Sequence, residues 1–401
     1  MTLKHNETNQ LSNLTSGRRL QIAGLFTGIG GIELGLHQSG HETQLMCEID
    51  PLASAVLSKR FGNVAKCSDV AELNSLPKSI DLLTAGFPCQ DISLAGTRAG
   101  LAGSRSGLIS EVFRIIATSK PEFLLLENVQ NLLRLGRGAT MREILAELDR
   151  LKYRWAYRVV DSRGFGLPQR RKRVIILASR GDLSPAPILF ARHVDAETDD
   201  TVGLLEQGHS YGFYWTEGRR GVGWTQDAVP PIKGGSGLGI PSPPAIFDVA
   251  TMTATTPTIG DAERLQGFEC DWTNIFLNDA PIKLGARWKM VGNAVSVPVA
   301  KWLGEELAQP ASELDETRVS DLIEKRAWPN AAFGDAKKRY AFKVSTHVET
   351  PTHQPIGEFL GLERNSLSKK ALTGYVKRAR EGSKRFPPEF IDALQRQAEL
   401  S

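Results

Sequence analysis

A cysteine closes the apolar run in DLLTAGFPCQDIS, residues 81 to 93, with Pro88 fixing the backbone before it and the glycine-rich, basic stretch QDISLAGTRAGLAGSRSG after it. Placed at the carboxyl end of a strand, Cys89 lies on the edge where open α/β sheets bind ligands. It reads either as a nucleophilic thiolate or as a buried structural cysteine. Glu127 in LLLENVQNLL ends a second apolar run. A carboxylate there is disfavoured unless it binds something, and burial would raise its pKa toward general-acid work; the plainer alternative makes Asn128 a helix cap and Glu127 its neighbour. LPQRRKRVIIL then sets Arg170, Arg171, Lys172 and Arg173 just before a strand. Alternation turns Arg171 and Arg173 to one face and Arg170 and Lys172 to the other, as a solvated basic edge or as a site for a phosphate or a base.

A glycine-rich turn, LFTGIGG, joins an apolar run to a helix-like segment and lets a ligand approach backbone and helix N-terminus closely. The dinucleotide pattern G-x-G-x-x-G fails, because the sixth position from Gly28 is Glu33. Glu48, twenty positions after Gly28, ends a second run where a carboxylate can bind ribose hydroxyls, so the pair favours an adenosine-containing ligand. Asp69 in KCSDV is either a further ligand contact or the N-cap of VAELNSL.

The elements that must position these groups alternate. LQIAGLF, TQLMCEI, SIDLLTAGF, PEFLLLEN and RVIILAS read as strands covered on both faces. GIELGLHQSG, GLISEVFRIIATSK and ATMREILAELDRL read as helices, and DPLASAVLSKRFG offers Asp50 as N-cap, Pro51 at the first helical position and Gly62 as a stop. Residues 20–181 are therefore expected to form a parallel α/β sheet. Residues 182–250, dense in glycine, proline, tryptophan and arginine, are expected to be a small separate domain of ligand-contacting loops. Residues 251–310 return to the first domain through DAERLQGF and SVPVAKWLGEELAQ, and 311–401 form a charged helical extension.

With 401 residues, 41% hydrophobic and 23% charged, the chain has the composition of a globular protein, and a formal charge of +4 permits a polyanionic partner without requiring one. The polar segment 1–19 lacks the apolar core of a signal peptide and no run reaches membrane-spanning length, so the expected location is cytoplasmic and the sequons at Asn6 and Asn13 are read as chance. Cys47, Cys67, Cys89 and Cys270 include no C-x-x-C pair, so neither zinc, nor any other metal, nor a disulfide framework is expected.

LFTGIGG, GFPCQDIS, ENV, QRRKR, ERLQGFE and GNAVSVP, in this order over residues 20 to 308, resemble the DNA (cytosine-5) methyltransferase family. The resemblance implies a Rossmann-like, S-adenosylmethionine-dependent domain, a small target-recognition domain and duplex DNA in the cleft between them. It implies that Cys89 attacks C6 of a flipped cytosine, that Glu127 holds or protonates N3, and that Arg173 and Arg171 bind the O2 side, the carboxylate or phosphate. For the cofactor it implies Phe26, Thr27, Gly28, Ile29 and Gly31 in the turn, Glu48 and Ile49, Asp69 and Val70, Pro88, and Asn293 with Ala294. Gln90, Ser93, Arg219, Arg220 and Lys233 are the expected DNA contacts. A monomer acting on DNA, with any restriction endonuclease a separate protein, is the expected assembly.

Three positions depart from the family pattern. Ile49 stands where some members carry an aromatic residue, TIGDAERLQGFECDW lacks the usual arginine-glutamate start and the proline-aspartate after Phe268, and Gly24 replaces an acid two before Phe26. Arg264, expected to buttress the recognition domain, is present. A silent DNA-binding protein is disfavoured by the retained Cys89, Glu127 and Arg173, a transfer-RNA methyltransferase by GFPCQDIS and the sizeable recognition segment, and a nicotinamide oxidoreductase by the broken glycine pattern. The segment 355–385, with eight Lys or Arg against three Asp or Glu, is read as an accessory DNA-binding module or a solvated appendage.

Overall fold

The structure, a computed structural model, describes residues 17–88, 107–194, 205–217, 223–234, 243–311, 313–322, 328–350, 352–361, 363–382 and 386–401. Cys89, Gln90, Ser93, Arg219 and Arg220 lie outside the described residues.

Five parallel strands form one half of the main sheet: β1 (Gln21–Leu25), β2 (Glu42–Cys47), β3 (Ala65–Cys67), β4 (Leu82–Gly86) and β5 (Phe123–Val129). Helices α1 (Gly31–Gln38), α2 (Pro51–Arg60), α3 (Leu108–Ser119) and α4 (Ala139–Arg150) connect or flank them. The start of α2 follows its sequence: Asp50 accepts from Leu52 N (2.9 Å) and Ala53 N (3.3 Å), and Pro51 occupies a position with no donor to lose. Apolar residues from both faces bury the sheet.

Beyond β5 the sheet is not parallel, as the sequence had implied. β7 (Lys172–Ser179) runs antiparallel to both β5 and β6 (Arg154–Asp161). The short return between β6 and β7 leaves no room for the crossover helix that a parallel pair requires. The order along the sheet, β6-β7-β5-β4-β1-β2-β3, brings the carboxyl ends of β1, β2, β4 and β5 to one rim.

The short helix α5 (Pro185–Phe190) still packs on β6 and β7, so the second body begins after it and not at residue 182. That body is an antiparallel sheet containing β8 (Ser210–Phe213), β9 (Thr225–Gln226), β10 (Ala245–Asp248) and β11 (Thr253–Thr256). The chain re-enters the first body at the capping box of α6 (Ile259–Leu265), passes a small hairpin of β12 (Phe276–Leu277) and β13 (Ala280–Pro281), and continues through α7 (Leu284–Asn293) and α8 (Val297–Ala308).

Residues 311–401 are not a separate extension. β14 (Val319–Asp321), β15 (Ala331–Gly334) and β16 (Arg339–Phe342) lengthen the main sheet, β15 pairing with β6. After α9 (Ile356–Phe359), β17 (Asn365–Ser366) pairs with β11, and α10 (Lys369–Glu381) and α11 (Pro388–Leu400) cover the second sheet. Leu372, Tyr375, Val376 and Ala379 give α10 an apolar stripe at helical spacing, and Phe390 of α11 meets Phe213, Trp224 and Phe247 edge-on at 5.3, 5.0 and 4.9 Å. Lys369, Lys370, Lys377 and Arg380 of α10 are exposed, whereas Arg378 is half-buried and donates to the carbonyls of Glu217 and Trp215. No helix among the described residues is long and apolar enough to cross a membrane.

Candidate functional site

The turn between β1 and α1 is strained in the way a close ligand contact needs. Phe26 adopts φ 55°, and Gly28 (φ 57°) and Gly30 (φ 84°) are also left-handed. A Cβ on Gly31 would stand 2.5 Å from Val295 O, so only glycine lets α1 lie against the 294–297 segment. A Cβ on Gly28 would meet nothing within 4 Å, which leaves open space in front of its backbone. Glu48, just past β2, accepts from Gly28 N (2.7 Å) and Asp50 N (2.8 Å), locking the turn to the start of α2 while its remaining lone pairs are free for a ligand. Thr27 N donates to Cys47 O (3.2 Å), and Ile29 O accepts from the Trp272 indole (3.0 Å). Ile49 is 70% exposed beside this acid, a bare apolar surface suited to a flat ring. Of the two readings of Asp69, the structure realises the cap, Oδ1 accepting from Ala71 N (2.9 Å) ahead of buried Val70.

On the same rim, Glu127 Oε1 pairs with Arg173 Nε at 2.9 Å, both side chains largely buried. Pairing across β5 and β7 sets Val129 against Arg173 and brings the two groups together. A Cβ on Gly86, at the end of β4, would lie 3.7 Å from Glu127 Oε2, 3.8 Å from Val295 Cγ2 and 4.0 Å from Ile32 Cδ1. The exit of β4, the acid, the GNAVSVP segment and α1 therefore meet at one point, two residues before Pro88. Asn128 does not cap a helix with its side chain; its Nδ2 grips Phe87 O (2.8 Å) and fixes the strand end that leads to Pro88 and Cys89. That role was hidden in the sequence because it depends on which strand lies beside β5.

Arg171 does not join Arg173 at the acid. Its buried guanidinium donates to the carbonyls of Ile232 (3.0 Å), Gly292 (3.1 Å) and Ala294 (2.7 Å), and burial, then the charge of Arg173, holds its pKa well below the usual arginine range. It acts as a brace beneath Asn293 and Ala294. Buried Gln169, Gln266, Ser296 and Ser162 continue that brace: Gln169 Nε2 donates to Leu265 O (2.8 Å), Ser296 Oγ to Gln266 Oε1 (2.9 Å), and the two serine hydroxyls lie 3.0 Å apart. Three stretches widely spaced in the chain, around 169, 266 and 296, thus form one polar network. Lys233, expected on DNA, pairs with Glu217 (2.5 Å) and lies 3.6 Å above the Tyr214 ring. Arg264 donates to Phe359 O (2.8 Å) and pairs with Asp261 (2.6 Å). Glu263, Cys270 and Asp271 converge, but both carboxylates are answered by Arg287, at 3.1 and 3.2 Å.

Beneath the turn, Glu33 of α1 occupies the space Gly24 leaves, since a Cβ there would fall 2.2 Å from Glu33 Oε1. Burial pushes its carboxyl up to about 7, against a hydrogen bond from Thr84 Oγ1 (3.1 Å). An unfolded glutamate ionises near 4.5, so between those values the native state keeps a proton that the unfolded chain gives up. Stability should therefore fall as pH rises through this window, by about 3 kcal/mol in all. Glu33→Gln is expected to remove that fall and to be more stable than wild type at pH 8. Urea midpoints of both proteins at pH 5 and pH 8 measure it, and parallel pH profiles would refute it.

Residues 20–210 match the family model described as C-5 cytosine-specific DNA methylase. The chain is 48% identical over 384 residues to Type II methyltransferase M2.BsuMI of Bacillus subtilis (strain 168), covering 94% of this chain and 98% of that one. It is 31% identical over 181 residues to Type II methyltransferase M.HhaI of Haemophilus parahaemolyticus, 45% of this chain and 55% of the other. Among solved structures, the S. pombe Dnmt2 methyltransferase shares the fold with a TM-score of 0.53 at 18% identity, over 73% of this chain and 99% of that one.

Proposed function

The chain belongs to the C-5 cytosine-specific DNA methylase family, and from that premise we propose that it methylates cytosine C5 at a specific site in duplex DNA, as the modification enzyme of a Type II restriction-modification pair whose endonuclease is a separate protein. The convergence at Gly86 supports this reading most directly. There the Glu127–Arg173 pair lies near Gly86 at the end of β4, and the turn held by Glu48 lies on the same rim.

S-adenosylmethionine fits the first half of that rim: Glu48 has lone pairs for ribose hydroxyls, Ile49 an apolar face for adenine, and the open space before Gly28 admits the chain of the methionine part. When bound it supplies an electrophilic methyl group. The second half handles the base, which must leave the duplex stack for its ring face to be reached. Cys89 Sγ adds to C6, forming the S–C bond and moving the ring's electron pair toward C5, while Glu127 holds a proton at N3 and so balances the charge. Arg173 orients Glu127, and its cationic charge favours the thiolate and the O2 side of the ring. Once C5 carries its new substituent, the C5 proton passes to water, its C–H electron pair restores the C5–C6 double bond, the C6–S bond breaks with its pair on Cys89 Sγ, and the N3 proton returns to Glu127.

Incubation with methyl-labelled S-adenosylmethionine and duplex DNA, followed by bisulfite sequencing, tests this. Label in cytosine at one short recurring site is expected. A folded protein that binds the cofactor and labels transfer RNA or nothing would refute it.

A further inference from the structure

Two thiols distant in the sequence meet beneath Glu48. β2 and β3 run parallel with Cys47 set directly against Cys67, so both side chains fall on the same face of the sheet and pack into the same apolar cluster. Both are free thiols, Cys47 buried and Cys67 half-buried. Burial, then hydrogen bonding with Cys67, pushes the Cys47 thiol up from its usual range. The backbone around the pair carries the groups assigned to the cofactor: Thr27 N donates to Cys47 O (3.2 Å), Glu48 N to Cys67 O (3.1 Å), and Cys67 Sγ to Asp69 O (3.2 Å). Neighbouring strands lie about 4.8 Å apart, within the Cα separation of about 4.4–6.8 Å that a disulfide spans, but the bridge needs Cβ atoms about 3.8 Å apart. β3 has three residues and forms the edge of the sheet, so it is the strand that can be drawn in.

We propose that Cys47 and Cys67 are an oxidative modification site, closed by hydrogen peroxide into a disulfide that lowers the affinity of the adjoining rim for S-adenosylmethionine. This rests on the cofactor reading of that rim given above. Cys67, nearer water, attacks one oxygen of the peroxide as its thiolate; an S–O bond forms, the O–O bond breaks, and the departing hydroxide becomes water with the proton Cys67 gave up. Cys47 Sγ then attacks the sulfenic sulfur of Cys67, the S–S bond forms, and the S–O bond breaks to release hydroxide, which takes the Cys47 proton. A dithiol reductant, itself oxidised to a cyclic disulfide, restores both thiols. Closing the bridge removes the Cys67 donor from Asp69 O and moves Cys67 O, which holds Glu48 N. The Glu48 carboxylate in turn holds Gly28 N (2.7 Å), so the shift reaches the glycine-rich turn.

The full chain is treated with hydrogen peroxide, a portion is then reduced with dithiothreitol, and S-adenosylmethionine affinity is measured by calorimetry beside peptide mapping. Binding is read in place of methyl transfer because oxidation of Cys89 would also stop transfer. Peroxide is expected to link the Cys47 and Cys67 peptides and to raise Kd about tenfold or more, the effect of losing one hydrogen bond to a charged group, with dithiothreitol reversing both. Cys67→Ser keeps a donor for Asp69 O and should bind the cofactor equally before and after peroxide. Treated wild type without the Cys47–Cys67 link, a link that leaves Kd unchanged, or an equal loss of affinity in Cys67→Ser would overturn the assignment while leaving the methyltransferase reading intact. An untreated wild type that does not bind S-adenosylmethionine would remove both.

Discussion

Glu127→Gln is expected to slow methyl transfer to duplex DNA by about a hundred- to ten-thousandfold, with cofactor affinity and thermal midpoint close to wild type. Glutamine keeps the shape of the side chain and an acceptor for Arg173, 2.9 Å away, but has no proton to place at N3. Cys89→Ala should go further and leave no transfer, because nothing else then opens the ring to attack on the methyl group. Single-turnover rates with labelled cofactor separate the two. A Glu127→Gln enzyme turning over at the wild-type rate would show that N3 receives its proton elsewhere.

The second large effect is on stability. Arg171→Ala strips the donors from the carbonyls of Ile232, Gly292 and Ala294 at a site of 2% exposure, and is expected to destabilise the protein by about 3–5 kcal/mol. The urea midpoint checks it. If Arg171 instead touched the substrate, the variant would keep its midpoint and lose only rate. The comparison separates the brace seen in the structure from the catalytic role that QRRKR had suggested.

The parallel strands, the first four helices and the cap at Asp50 were legible because each is set by local periodicity and termination. β6 was not recognised: RWAYRVVD carries two arginines, which read as polar, yet Arg158 is fully buried and donates to the carbonyls of Leu189, Arg192, Ser345 and His347. A charge can lie inside a strand when distant backbone supplies its acceptors, and nothing local announces that. At the site, residue types pointed to Glu127, Arg173, Glu48 and the turn, whereas the division of labour between Arg171 and Arg173 depends on the register of β7 and on segments more than 50 residues away. The split of residues 311–401 between two bodies was hidden for the same reason: β15 and β17 have partners far away in the chain.

The path of the chain has a consequence for heredity. It builds the first body, then the second, returns through 258–342, and returns again to complete the second with 356–401. A gene that acquired a new version of residues 205–256 by recombination would set foreign residues, in place of Phe213 and Phe247, against its own Phe390 and Tyr375. Two exchanges, far apart in the coding sequence, would have to occur together for the hybrid to keep an intact core. Transplantation of site preference between relatives of this kind should therefore succeed when both stretches move and fail when either moves alone.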